Sequence, residues 1–177
     1  MSSPVSVIAS APSGAVAPFR VPAPLAAEID EVISHYPQKR SASLMVLHAL
    51  QEHFGYLSKG AIEWTANKLE LQPINVYELV TFYPMFRQEA VGKYQLKVCR
   101  TLSCALGGSY ELHDHLCHKL GLSSHAHGPQ TTKDGKVTVE FVECLASCGT
   151  APVMMCNADF YESVSTAKAN EILADCK

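Results

Sequence analysis

Four of the seven cysteines stand in two close pairs, Cys99 with Cys104 and Cys144 with Cys148. Thiolates grouped in this way are ligands for a soft metal centre. A [2Fe–2S] cluster needs four of them, two on each iron, on segments that wrap a small inorganic core while backbone N–H groups donate to its sulfurs. Gly107, Gly108, Ala146, Ser147 and Gly149 surround the pairs with small side chains, which lets the main chain come close. Structural zinc favours C-x2-C knuckles over the C-x4-C and C-x3-C spacings found here, although longer zinc spacings exist. A thioredoxin-type redox dithiol would need a C-x-x-C, which is absent. Four unrelated buried cysteines would have to fall into two pairs by chance. The residues therefore point to one [2Fe–2S] cluster on Cys99, Cys104, Cys144 and Cys148, in a chain that transfers electrons and has no catalytic residue of its own.

The other reactive side chains have ordinary explanations. Cys117, Cys156 and Cys176 read as a helix, a strand and a near-terminal residue, and cysteine buries readily. Across His113, His115, Cys117 and His118, residues 113 and 117 share one helix face while 115 and 118 share another. The two faces diverge, so a solvated histidine-rich helix is expected rather than a second metal site. His48 and His53 read as packing or surface residues, Trp64 as core, and the run Phe82-Tyr83-Pro84-Met85-Phe86 as packing. Neither G-x-G-x-x-G nor a Walker loop occurs, so no nucleotide site is visible and electrons must come from another protein.

Secondary structure must bring the two pairs together. Over residues 26–86 apolar residues recur at helical spacing, for example Leu44, Leu47, Leu50 and Phe54 before Gly55. Ser41 or Ser43 is placed to cap that helix, Ser58 the next one through Leu69, and Asn75 with Glu78 has capping-box spacing after Pro73. From Lys93 the period becomes two, with Tyr94, Leu96 and Val98 on one side and Gln95, Lys97 and Cys99 on the other. A helix over 108–120, a strand over 137–142, a hairpin over 153–162 and a last helix over 166–174 follow, with all four cysteines expected in loops. The expected fold class is α/β, with a flexible tail over 1–24, a helical bundle over 25–90 and a small α/β domain over 91–177.

Composition narrows the partners. A formal net charge of −3 and the lack of any long Lys/Arg run argue against nucleic acid or an anionic membrane surface. No stretch approaches the ~20 apolar residues that span a bilayer. The first 24 residues carry no Lys or Arg before Arg20 and are interrupted by Pro4, Pro12, Gly14 and Pro18, unlike a secretory or transit signal. Without export, the cysteines are expected as reduced thiols, and their odd number suits ligation better than internal bridges.

The segments Tyr36-Pro37-Gln38-Lys39-Arg40-Ser41, Val80-Thr81-Phe82-Tyr83-Pro84-Met85-Phe86, Val91-Gly92-Lys93-Tyr94, Cys99-Arg100-Thr101-Leu102-Ser103-Cys104 and Glu143-Cys144-Leu145-Ala146-Ser147-Cys148-Gly149-Thr150-Ala151-Pro152-Val153-Met154 resemble the E-type subunit of NADH-quinone oxidoreductase, respiratory complex I. The resemblance covers residues 26–174. It implies a helical subdomain before a thioredoxin-like [2Fe–2S] ferredoxin domain, with Cys99 and Cys104 on one iron and Cys144 and Cys148 on the other. It also implies a larger F-type partner subunit carrying FMN and the NADH site, a large iron–sulfur subunit of G type, and a peripheral place on the cytoplasmic side of the inner membrane, or the matrix side in a mitochondrion. The same family includes the small diaphorase subunit of NAD-reducing hydrogenases and the gamma subunit of NAD-dependent formate dehydrogenases. The full helical leader, with Asp134-Gly135 and Tyr161-Glu162, favours the complex I branch over these and over a free-standing ferredoxin. The sequence leaves open whether the peptide before Pro152 is cis, a hypothesis raised by a proline that precedes a strand beside the redox centre.

Overall fold

A computed structural model of the chain describes residues 19–126 and 128–176. It divides between Gln88 and Glu89 into two compact units. Most of the expected tail, residues 1–18, lies outside the described residues. The remainder of that segment is no tail: Phe19 and Val21 pack against the helical core, with the Phe19 ring 4.9 Å from that of Phe54, and the first helix begins at Ala23.

The first unit holds α1 (Ala23–Ser34), α2 (Ser43–Phe54), α3 (Lys59–Leu69) and α4 (Pro73–Phe82) around Ile29, Val46, Leu47, Leu50, Ala61, Ala66 and Val76. The helical period of the sequence places these residues on inward faces. Ser58 caps α3 as expected, its hydroxyl accepting from the Ala61 N–H at 3.2 Å. The other two caps do not form. Ser43 is a buried helical residue whose hydroxyl donates to the Arg40 carbonyl at 2.6 Å, and α4 opens at Pro73, two residues before Asn75, because proline is preorganised for the first helical position. His48 and His53 pack on Phe86 and Phe54, and Trp64 lies half-buried against the core. The aromatic run splits: Phe86 is buried, whereas Phe82 is 76% exposed and Met85 48%.

The second unit is an α/β layer. Its strands are β1 (Tyr94–Cys99), β2 (Gln130–Thr131), β3 (Val137–Val142), β4 (Met154–Cys156) and β5 (Asp159–Tyr161), and its helices are α5 (Leu102–Leu106), α6 (Ser109–Leu120) and α7 (Thr166–Asp175). Sheet order is β2-β3-β1-β4-β5. The central strand β1 runs parallel to β3, with Cys99 opposite Val142, and antiparallel to β4, with Val98 opposite Met154. Leu96, Val98, Val137, Val139 and Met154 from the sheet meet Leu112 and Leu116 of α6 and Ala169 and Ile172 of α7 in one core. Gly92 opens this unit where only a hydrogen fits: a Cβ there would lie 2.7 Å from the Lys136 carbonyl carbon and oxygen. The Ala151–Pro152 peptide is cis.

Candidate metal centre

Parallel pairing decides where the cysteines meet. Because β1 and β3 run the same way, they release the chain at the same sheet edge, Cys99 as the last residue of β1 and Cys144 two residues beyond Val142. The antiparallel β4 starts at that edge, and the N–H of Cys99 donates to the Val153 carbonyl at 3.1 Å while that of Arg100 donates to Val142 at 3.0 Å. Cys104 sits on α5, and Cys148 opens a one-turn 3-10 helix over Cys148–Thr150.

The expectation of four loop cysteines is therefore corrected. Cys99 and Cys104 belong to a strand and a helix and are buried, at 2% and 3% exposure, while Cys144 and Cys148 are exposed. A five-residue helix is too short for its periodicity to show in a sequence. All four cysteines line one cavity of about 60 Å³, with Thr101, Leu102, Ser103, Leu145, Ala146, Ser147 and Val153. Known small-molecule pockets are larger, roughly 300 Å³ or more, so this cavity suits a compact group.

The geometry is pairwise. The Cys144 and Cys148 sulfurs lie 3.9 Å apart, close to the ~3.8 Å between two thiolates bound at ~2.3 Å to one tetrahedral metal. The Cys99 and Cys104 thiols act on one another, Cys104 lowering Cys99 and Cys99 raising Cys104. Among the described residues, no three His, Cys, Asp or Glu side chains converge on a single ion. Two neighbouring pairs suit a two-centre group better than one ion gripped by all four.

Hydrogen bonds favour the charged form at Cys99 and also reach the sulfurs of Cys104 and Cys144. Burial raises the Cys99 thiol, but the backbones of Leu145 and Thr101 and the side chains of Cys104 and Thr101 outweigh it and leave its pKa below the ordinary value. Cys104 is pushed up, chiefly by burial and then by Cys99, against a lowering hydrogen bond from the Val153 backbone. The Ala146 N–H donates to the Cys144 sulfur at 3.3 Å, an approach that places Ala146 in the left-handed region at φ 63°. A set of only thiols, supplied with N–H donors, is the chemistry that an iron–sulfur core requires.

Some residues that hold the loops escaped the sequence reading. Arg100, next to Cys99, donates from Nε at 3.0 Å and Nη2 at 2.6 Å to Glu143, next to Cys144, so one ion pair ties the two strand exits together. Glu162 on the far side accepts from the hydroxyls of Thr150, at 2.7 Å, and Ser147, which lowers its pKa and pins the turn bearing Cys148. Opposite charges directly beside Cys99 and Cys144 were the only sequence signal for the first pair, and nothing in the sequence marked Glu162, noted there for the resemblance alone, as a brace for the turn.

The histidine-rich helix differs from the expectation at one residue. His113 is buried, its ring stacked on Phe141 at 3.9 Å and its Nε2 3.7 Å from the Cys117 sulfur, while His118 is exposed and His115 bonds Asn170 at 2.9 Å. Burial raises the Cys117 thiol to about 11, so it stays protonated near neutrality. Cys156 and Cys176, unrelated in the sequence reading, lie 3.9 Å apart.

Comparison with known proteins agrees with this construction. The family described as thioredoxin-like [2Fe–2S] ferredoxin matches residues 29–177. The E-type subunit of NADH-quinone oxidoreductase from Aquifex aeolicus (strain VF5) is 36% identical over 88% of this chain and 95% of its own length. That of Rickettsia typhi (strain ATCC VR-144 / Wilmington) is 40% identical over 81% of this chain and 84% of its own. In fold, 74% of the chain superposes on 22% of a chain in the air-oxidized NAD+-reducing [NiFe]-hydrogenase, with a TM-score of 0.62 at 21% identity. With the fold, the paired cysteines and these relatives in agreement, the chain belongs to the thioredoxin-like [2Fe–2S] ferredoxin family and is a relative of the E-type subunits of NADH-quinone oxidoreductase.

Proposed function

We propose that Cys99 and Cys104 hold one iron of a [2Fe–2S] cluster and Cys144 and Cys148 the other, and that the chain is the E-type, electron-transfer subunit of an NADH-quinone oxidoreductase. The observation that carries the reading is the meeting of two close cysteine pairs in one small cavity at the exit edge of β1 and β3. When bound, the cluster would supply one-electron redox chemistry. The chain's own residues hold it in place: N–H groups of the 101–104 and 144–148 segments face the thiolates and favour added negative charge. Arg100 with Glu143, and Glu162 with Ser147 and Thr150, keep the two loops from spreading.

The redox partner is an F-type subunit that binds FMN and NADH, with a G-type iron–sulfur subunit beyond it. The helical unit up to Gln88 serves as the docking subdomain, and the unit from Glu89 onward is the cluster domain. No described helix is long and apolar enough to cross a membrane. Attachment on the cytoplasmic side of the inner membrane, or the matrix side in a mitochondrion, is through the complex.

Iron and acid-labile sulfide are measured on anaerobically purified chain, with an EPR spectrum after dithionite reduction. Two irons, two sulfides and a spin-half signal are expected; one tightly bound zinc without sulfide would overturn the cluster. Co-purification tests the complex. Recovery with quinone-reducing subunits is expected, whereas recovery with a hydrogenase or formate dehydrogenase subunit would move the chain to a diaphorase role, and recovery alone as a stable monomer would make it a free-standing ferredoxin.

A further inference from the structure

Outside the cluster cavity, one pair of thiols faces each other. Cys156 is the last residue of β4, and Cys176 caps the C-terminal end of α7. Their sulfurs are 3.9 Å apart across 20 residues of sequence. The two elements differ in freedom. Cys156 is held by ladder pairing with Leu96 on β1 and Asp159 on β5, and is 7% exposed. Cys176 is half-buried beyond the last turn of its helix, tied locally by an S–H donated to the Ile172 carbonyl at 3.3 Å. The pair thus has one sulfur shielded within the sheet and one on a half-buried residue at a helix end, close enough for thiol–disulfide exchange to join them.

We propose that Cys156 and Cys176 form a reversible disulfide that fastens the end of α7 to the sheet when the chain meets a small-molecule disulfide such as oxidised glutathione. The Cys176 thiolate attacks one glutathione sulfur, forming a mixed disulfide and releasing one glutathione thiolate. The Cys156 thiolate then attacks the Cys176 sulfur, forming the internal bond and releasing the second glutathione. Two electrons pass from the cysteine pair to the reagent, and the two protons given up by the cysteines end on the two glutathiones. Closing the gap from 3.9 Å to the ~2.05 Å of an S–S bond needs movement mainly at the helix end. Burial raises both thiols, Cys156 to about 12, so little thiolate is present near neutrality and the exchange is slow. Leu96, opposite Cys156, lies three residues before Cys99 on β1, so the pair is separate from the cluster cavity.

The test uses full-length, cluster-loaded chain, incubated anaerobically with excess oxidised glutathione, then alkylated, digested and mapped by mass spectrometry. The expected product is a species lighter by about 2 Da, with Cys156 linked to Cys176, reversed by dithiothreitol and absent from Cys176→Ser. Amide exchange over α7 should slow on the order of tenfold in the oxidised wild type and not in Cys176→Ser. The visible spectrum before oxidation should match wild type in that variant, showing that folding and cluster are intact. Cys156 and Cys176 both remaining free, Cys176 stopping at the glutathione adduct, or links found only among Cys99, Cys104, Cys144 and Cys148 would each overturn the proposal.

Discussion

Gly107 and Gly149 both lie close to cysteines proposed as ligands, and by sequence they are equivalent small residues; the structure separates them. A Cβ at Gly107 would sit 2.9 Å from the Ala151 Cβ and 3.2 Å from the Ser103 carbonyl oxygen. Carbon atoms need about 3.5–4.0 Å, so α5 and the segment after Cys148 must part by roughly 1 Å. Neither neighbour is a flexible side-chain tip, so the strain falls on the backbones that carry Cys104 and Cys148. Overpacking of this kind costs about 1–3 kcal/mol. For a unit of this size about 2 kcal/mol lowers the melting midpoint by about 10 °C. A Cβ at Gly149 meets nothing within 4 Å, so Gly149→Ala should stay within about 0.5 kcal/mol of wild type. The two variants are purified anaerobically and compared for iron per chain, visible absorption and thermal midpoint. Gly107→Ala should melt lower and lose iron faster to a chelator. Equal damage from Gly149→Ala, or a Gly107→Ala protein with wild-type midpoint and iron retention, would refute the steric reasoning.

Cys99→Ser and Cys148→Ser are expected to bleach or weaken the visible charge-transfer absorption while Cys117→Ser and Cys176→Ser leave it intact; equal loss in all four would sink the ligand assignment. Ala146→Gly should be neutral or stabilising by up to about 1 kcal/mol, because glycine accepts the left-handed backbone without strain, and a lower thermal midpoint would contradict this. His113→Ala should leave metal content unchanged and alter the pH dependence. Burial holds the His113 imidazole below its ordinary value of 6.5, with the Asp114 charge opposing only part of the shift. Below that value the folded chain binds fewer protons than the unfolded one, so wild type loses stability as pH falls from 6.5 toward the lowered pKa. The variant should show a shallower loss, read as urea midpoints at pH 7 and pH 5; identical slopes would show that His113 is not the titrating group.

By itself the sequence determined the chemistry and most of the elements. Thiol identity and spacing singled out the four cysteines proposed as ligands, and the switch of apolar period from helical to alternating marked where the helical half gives way to the sheet, because burial leaves a direct trace in residue order. Ser58 was legible as a cap because its partner N–H lies three residues on, at Ala61. The resemblance supplied the thioredoxin-like order of the second half. Short elements stayed hidden: α5 and β2 contain too few residues for a period to show, and Phe19 looked like tail until its packing on Phe54 was seen. The capping box at Asn75 failed because Pro73 won the start of the helix. Only the tertiary structure decided what depends on which chain segments become neighbours. Parallel pairing of β1 with β3 brings Arg100 to Glu143 and Cys99 into one cavity with Cys144, and the docking of α7 beside β4 sets Cys176 against Cys156. These contacts join residues 20 to 45 positions apart, a range over which residue order carries no periodic signal.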